Sequence, residues 1–231
     1  MKQSEPYSMS QNYAVEPSKM HLTILITGCS GFIGSHLVER FMSIKGDRKF
    51  EIRCMTRNVR SVESIFKKGE AVMDLKFVQA DASKYSDLVS VMTGVDIAFY
   101  LIHYMEGSSK DWKRFADRDR IAASNFARAA TECGVKRVIY LGGLVHENEL
   151  RSIKLSEHMR SRREVGQILT KSTAKVTIFR AAIILGQGGA SFQMLQYLVE
   201  RLPAMVCPKW VLTRSQPIAI DDVITYLIKA I

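Results

Sequence analysis

Leu22-Thr-Ile-Leu-Ile-Thr-Gly-Cys-Ser-Gly-Phe-Ile-Gly34 is the stretch that decides the fold. A short apolar run rich in β-branched residues enters Gly28, Gly31 and Gly34, and an amphipathic helical pattern follows. That order is the strand–turn–helix of a dinucleotide-binding unit. Gly28 permits the tight turn out of the strand, and Gly31 lets backbone approach a pyrophosphate. Gly34 lets the helix pack close to the sheet, so that its N-terminal N–H groups face the phosphates. Three glycines alone carry little weight; set between a buried strand and a helix, they carry much more.

The same alternation runs through the chain. Apolar runs fall at 22–27, 50–56, 75–79, 95–102, 136–141 and 175–185, with helical patterns at about 32–45, 60–68, 84–93, 110–133 and 156–171. In the fourth helix Trp112, Phe115, Ala116, Ala123, Phe126, Ala127, Ala130 and Cys133 form a core-facing stripe. Strands apolar along their whole length are buried on both faces. The reading is therefore an α/β chain: a Rossmann-type, doubly wound parallel sheet with helices on both faces. Right-handed crossovers put the ligand crevice at the carboxyl ends of the strands. One dinucleotide-binding domain is expected over 21–231, with a small substrate-side segment from about 186 onward. Residues 1–20 are polar and aperiodic and read as a loose tail.

The end of the second strand bears on which dinucleotide is bound. An acidic residue about 20 residues past the glycines ordinarily holds the ribose 2′-hydroxyl of the non-phosphorylated cofactor. Ile52-Arg-Cys-Met-Thr-Arg-Asn-Val-Arg60 has no carboxylate and offers Thr56, Arg57 and Arg60. A guanidinium pairs bidentately with phosphate, so the loop suits NADP(H), with NAD(H) as the alternative.

Composition sets the remaining bounds. The chain has 231 residues, 47% hydrophobic and 24% charged, enough for one α/β core. Cys29, Cys54, Cys133 and Cys207 show no metal-ligand spacing and read as small core residues in a reducing, cytoplasmic setting, with no metal expected. There is no apolar run of membrane-spanning length and no basic–apolar–cleavage pattern at the N-terminus. The net charge of +10 is densest at Arg151, Lys154, Arg160, Arg162 and Arg163. Without interleaved aromatics, that cluster reads as a solvated face beside an anionic cofactor rather than a nucleic-acid site.

TGCSGFIG, VQADASKYSDL and IYLGGL after a long Ala-rich helix resemble the short-chain dehydrogenase/reductase superfamily. The TGxxGxxG spacing is that of its extended and atypical branches. More narrowly, DRDRIAASNFARAA, LSEHMRSRREVGQIL and FRAAIILGQGGASF resemble the NAD(P)H-binding, NAD-dependent epimerase/dehydratase-like (NmrA-like) proteins. Members often carry a further C-terminal domain, whereas this sequence stops shortly after Ile218-Ala-Ile-Asp-Asp-Val-Ile.

The resemblance implies roles for particular residues. Gly28, Cys29, Ser30, Gly31, Phe32, Ile33 and Gly34 match the pyrophosphate loop, and Arg57 the position that holds the adenosine phosphate. Asp81 and Ala82 match the pair against the adenine. Leu101, Ile102 and His103 match the strand end lining ribose and nicotinamide. Ala181, Ala182 and Ile183 match the segment near the carboxamide. The loop Gly186–Gly189 is expected to border the substrate pocket, with small residues leaving room or mobility there.

The departure concerns catalysis. Dehydrogenases of this superfamily use Ser, then Tyr and Lys four residues apart on one helix face. Here those positions fall at Gly142 or Gly143 and near His158 and Arg162. His158 titrates near neutrality and can act as acid or base; Arg162 can position an anion but does not shuttle protons. His103 and Tyr104, at the end of the fourth strand, are the other polar candidates. Two function classes follow. One is an NADP(H)-dependent oxidoreductase or epimerase-like enzyme with an unusual proton donor. The other is a non-catalytic dinucleotide-binding redox sensor or assembly protein. A small-molecule substrate and a monomer or weak homodimer are the expected partners, the homodimer pairing through the two long helices.

Overall fold

A computed structural model describes residues 21–44, 49–66, 74–104, 112–144, 156–201 and 214–231. The N-terminal tail, Cys207, Arg151 and Lys154 lie outside the described residues. In chain order the elements are β1 (His21–Thr27), α1 (Phe32–Ser43), β2 (Lys49–Thr56), α2 (Val59–Phe66), β3 (Asp74–Gln79), α3 (Tyr85–Met92), β4 (Ile97–Tyr100), α4 (Trp112–Glu132) and β5 (Arg137–Gly143). Then follow α5 (Glu157–Leu169), β6 (Lys175–Ala181), β7 (Ile183–Leu185), α6 (Ala190–Arg201), β8 (Pro217–Ala219) and α7 (Ile220–Lys229).

Six strands form one parallel sheet in the order β3-β2-β1-β4-β5-β6. The chain winds outward from β1 to β3, then returns to place β4 on the other side of β1. This reversal opens a crevice at the carboxyl ends of β1 and β4.

Side-chain alternation divides the core between the two faces. Ile24, Ile26, Ile52, Cys54, Phe99 and Ile139 pack with Leu37 and Phe41 of α1 and Val223 and Leu227 of α7. Leu25, Met55, Ala98, Tyr100, Val138 and Tyr140 pack with α3, α4 and α5. Covering both faces is what lets strands this apolar remain in water. The expected stripe on α4 holds at Phe115, Ala123, Phe126, Ala127 and Ala130, which are buried. Asp119 is buried in the same stripe, at 2% exposure.

One strand assignment differs from expectation. The apolar run 175–185 is two strands, not one. The chain leaves the main sheet at Ala182, and β7 pairs in parallel with β8, Ile184 opposite Ile218. The partner of β7 lies far along the chain, so the run alone carries no sign of the break. Among the described residues no helix is long and apolar enough to cross a membrane.

Candidate functional site

Thr27 ties the two sides of the crevice together. Its buried Oγ1 donates to the Phe99 carbonyl (2.9 Å) and accepts from the Leu101 N–H (3.1 Å). The glycine turn is thereby fixed against the end of β4. Gly28 has φ +70°, and a Cβ there would lie 2.7 Å from the Leu101 oxygen. At Gly34 a Cβ would lie 2.8 Å from Cys29 Cα and closer still to the Gly28 oxygen. Both positions therefore require glycine. Gly31 caps α1 in an extended conformation, and no side chain caps the helix. Its first-turn N–H groups have no partner within the helix and give the site an anion-binding end.

A cleft of about 420 Å³ opens over this turn. Gly28, Ser30 and Gly31 form its floor; Arg57, Asp81 and Ala82 line one end, and Leu101, Ile102, His103 and Tyr104 the other. Asp81 is partly buried, which works against its charge. The Ser83 N–H and hydroxyl, with Arg57 and Lys84 beyond them, nonetheless hold its carboxyl below the usual range. A second cavity of about 200 Å³ adjoins at Leu101 and lies over the ends of β5 and β6. It is lined by Ile33, Gly142, Gly143, His158, Arg162, Ala181 and Ile184, among others.

Several expected contributors lie elsewhere. Cys29 is fully buried, and its thiol donates to the Met55 carbonyl at 3.3 Å instead of facing the cleft. The Phe32 ring turns toward the loop Gly186–Gly189. Ile183 is 40% exposed, and its neighbour Ile184 lines the cavity. Gly186 and Gly189 leave no room beside them, because neighbouring side chains fill the space, whereas a Cβ on Gly188 would meet nothing nearer than the Phe32 ring at 4.0 Å. A Cβ on Gly189 would lie 2.9 Å from the Phe32 ring, and one on Gly186 would lie 2.8 Å from Ile220 Cβ. These glycines let α1 and α7 approach the loop.

The four candidates for proton chemistry divide. Arg162 donates from Nη1 to the Leu141 carbonyl (3.1 Å), and its own carbonyl accepts from Tyr140 Oη (2.9 Å). It is anchored as a fixed cation beside the second cavity. Burial, reinforced by the Asp81 charge, pushes the Tyr104 phenol up. His103 and His158 meet: His103 Nε2 lies 3.2 Å from His158 Nδ1, and the rings cross edge-on at 4.8 Å between centroids. On its other side, His103 Nδ1 lies 3.1 Å from Asp119 Oδ2.

Asp119 and Ser161 are site residues that sequence reasoning missed. Ser161 Oγ donates to Asp119 Oδ2 (2.8 Å), and the Tyr104 N–H donates to Oδ1 (3.2 Å). Burial opposes the Asp119 charge. His103 above all, then Ser161 and the Tyr104 amide, outweigh it and hold the carboxyl below its usual range. His158 is driven the other way. Desolvation, with His103 and Arg162 nearby, pushes it down to about 4. A signal for Asp119 was present in the sequence: it is the acid on an otherwise apolar stripe, between Phe115 and Ala123. Such a residue is buried and paired, or it does not stay in the core. The Tyr100 hydroxyl is buried with no hydrogen-bond partner among the described residues; its ring packs edge-on against Phe126 and Tyr140.

A family model described as the NAD dependent epimerase/dehydratase family matches residues 24–149. Among curated proteins, the chain is similar to the auxiliary protein GraX of Staphylococcus aureus, with 34% identity over 128 residues. That stretch covers 54% of this chain and 38% of GraX, so the chain spans well under half of that relative's length. Solved structures align over more of the chain. UDP-glucuronic acid 4-epimerase from Bacillus cereus, in complex with NAD, aligns with a TM-score of 0.71 and 18% identity, covering 90% of this chain and 73% of that one. The Bordetella bronchiseptica enzyme WbmH, in complex with NAD+, aligns with a TM-score of 0.70 and 18% identity, covering 91% and 72%. At such identities the likeness is one of fold.

Proposed function

The chain belongs to the NAD dependent epimerase/dehydratase family, within the extended short-chain dehydrogenase/reductase superfamily, and on that premise we propose that it is an NADP(H)-binding oxidoreductase that works without the Ser-Tyr-Lys set. The observation that carries the reading is the lining of the first cleft. A glycine turn and an uncapped helix end face a strand end bearing Arg57 and no carboxylate at the 2′-hydroxyl position.

The residues present fit a dinucleotide. Gly28–Gly31 and the first turn of α1 hold the pyrophosphate. Arg57 holds the 2′-phosphate, and Asp81 and Ala82 border the adenine. Leu101, Ile102 and His103 border the ribose and nicotinamide, with Ala181 and Ile184 beyond them. The bound nicotinamide supplies hydride chemistry, which the protein orients. Gly142 and Gly143 stand where the superfamily's serine falls, so this chain's proton chemistry rests on other residues.

Calorimetric titration with NADPH and NADH tests the reading. NADPH binds at least about tenfold more tightly, a difference of about 1.4 kcal/mol. Arg57→Glu removes that preference while NADH binding survives. Tighter binding of NADH by the wild-type chain overturns the assignment of Arg57. A second reading, a dinucleotide-binding protein that acts through a partner, draws on the similarity to an auxiliary protein. It expects binding without turnover of any aldehyde, quinone or alcohol.

A further inference from the structure

Arg162 and Arg163 stand in the densest part of the chain's net charge of +10, and neither lines the dinucleotide cleft. The packing of α5 on the sheet decides where they come to lie. Residues in register on neighbouring parallel strands share a face. Tyr140 of β5 stands opposite Ile178 of β6, and Gly142 opposite Arg180, on the face that α5 covers. Gly166 lets α5 settle onto that face: a Cβ there would lie 3.3 Å from Ile178 Cδ1 and 3.5 Å from the Tyr140 ring. Beside this contact lies a third cavity of about 300 Å³. Tyr140 and Ile178 give it an apolar floor, and Arg162, Arg163 and Arg180 bring three guanidinium groups to it from two elements.

No carboxylate stands among the described residues that line this cavity. Arg162 is half-buried and donates from Nη1 to the Leu141 carbonyl, so its charge is held in place without being neutralised. The side chains of Arg163 and Arg180 are exposed and form no hydrogen bond or ion pair with the described residues. Three cations around one concavity, with no acid between them, set up a field that draws an anion. A guanidinium meets a phosphate through two parallel hydrogen bonds, and three positive charges are more than a single carboxylate balances.

We propose that the third cavity binds the phosphate group of a small phosphate ester, and that such an ester is the substrate of this site. Gly142, Gly143 and Arg162 line both this cavity and the second one, and the second one meets the dinucleotide cleft at Leu101. A phosphate held by the arginines therefore leaves the carbon chain of the ester beside the second cavity, on the way to the nicotinamide. A volume of about 300 Å³ is small for a ligand site and suits a short ester. In the oxidative direction the C–H bond at a hydroxyl-bearing carbon breaks and its electron pair leaves with the hydrogen, as hydride, to NADP+. The hydroxyl proton goes to water, a carbonyl and NADPH result, and the phosphate ester stays intact. The substrate half of the proposal rests on the reading that a dinucleotide occupies the first cleft; the phosphate half does not.

Calorimetric titration of glycerol 3-phosphate into the full chain tests the phosphate half, with NADPH at saturation to fill the first cleft and glycerol as the control. Glycerol 3-phosphate binds and glycerol does not, and Arg163→Ala and Arg180→Ala each weaken binding at least about tenfold, as expected for hydrogen bonds to a charged group. Neither side chain holds the fold by a hydrogen bond or ion pair, so thermal unfolding of both variants follows the wild type. Arg163→Gln and Arg180→Gln repeat the test should either alanine variant fail to fold. No binding, or binding that ignores both substitutions, overturns the phosphate site.

The kinetic arm supplies NADP+ and compares short phosphorylated alcohols with their unphosphorylated counterparts. The phosphorylated members are preferred at least about 100-fold in kcat/KM, and Arg163→Ala and Arg180→Ala raise their KM, the mark of lost substrate binding. Equal use of both kinds overturns the substrate half. So does phosphate binding with no phosphorylated member oxidised, and the phosphate site then stands alone. Failure to bind either dinucleotide overturns the reading of the first cleft instead. The titration is then run on the free chain: sensitivity to Arg163 and Arg180 upholds the phosphate site, and sensitivity to Arg57→Glu alone overturns it.

Discussion

The glycine turn and the Asp119–His103–His158 cluster share one edge of the sheet, yet different parts of the chain hold them in place. The turn is local: residues 27–34 carry the φ +70° glycine, the helix start and the close approach of α1 to the strand. Thr27, reaching the Phe99 carbonyl and the Leu101 amide, and Cys29, whose thiol reaches the Met55 carbonyl, tie it to neighbouring strands. The cluster has no local part. His103 follows β4, Asp119 sits inside α4, and Ser161 and His158 lie on α5, so every bond in it joins different elements. Backbone geometry builds the first region; packing of α4 against α5 builds the second. Damage to the two should therefore differ in kind.

The largest effect is expected at the turn. In Gly34→Ala the new Cβ meets the Gly28 backbone and Cys29 Cα, 2.8 Å away, and main chain cannot rotate out of the way as a side chain can. A loss of about 3 kcal/mol in unfolding free energy follows, at the upper end of overpacking costs. Dinucleotide binding should fall with it, because the helix end moves off the turn. Urea unfolding measures the first and calorimetry the second. A variant of wild-type stability would mean that α1 is not held against the turn as described. Ser161→Ala is the corresponding cut in the cluster. It removes one buried donor from an ionised carboxylate and should cost about 2 kcal/mol, within the range for hydrogen bonds to charged groups. Affinity for the dinucleotide should stay within about twofold, since Ser161 lies outside the first cleft. Equal losses of affinity from both substitutions would erase the distinction between the regions.

This difference also decides what the sequence could disclose. The glycine turn is legible because each glycine answers to a backbone constraint within eight residues, and strand and helix patterns flank it. The missing carboxylate and Arg57 are legible for the same reason: the loop that holds them follows directly from β2. His103 and His158 could be picked out singly, each by its position at a strand end or on a helix. Their contact could not, because 55 residues separate them and only the packing of α5 against α4 and β5 brings them within 3.2 Å. Asp119 left a fainter trace, an acid on an apolar stripe, which says that a partner exists without saying which. Gly186 and Gly189 are hard to read for a related reason. Small residues can leave space or let neighbours in, and only the positions of Phe32 and Ile220 tell the two apart.

The smallest effect separates the two titrating ends of the cluster, His158 and Asp119. His158 has its folded value pushed down, from an ordinary 6.5 to about 4. Between those pH values the unfolded chain binds a proton at this ring that the folded chain does not, so stability must fall as pH drops through that window. The Asp119 carboxyl is also pushed down, but its contribution is present above the ordinary carboxylate range and is lost only as pH falls through its folded value, below the histidine window. The two effects are therefore displaced along the pH axis. Thermal unfolding of the wild-type chain should steepen its decline between pH 6.5 and 4.5, and His158→Gln should flatten that part of the curve while leaving the decline at lower pH. Groups remote from this ring contribute equally to both proteins and cancel in the difference. The ring is only half-buried and water screens it, so the signal is a change of slope and not a large loss. Parallel curves for the two proteins would mean that His158 is solvated like a surface imidazole, and the contact with His103 would then have to be given up.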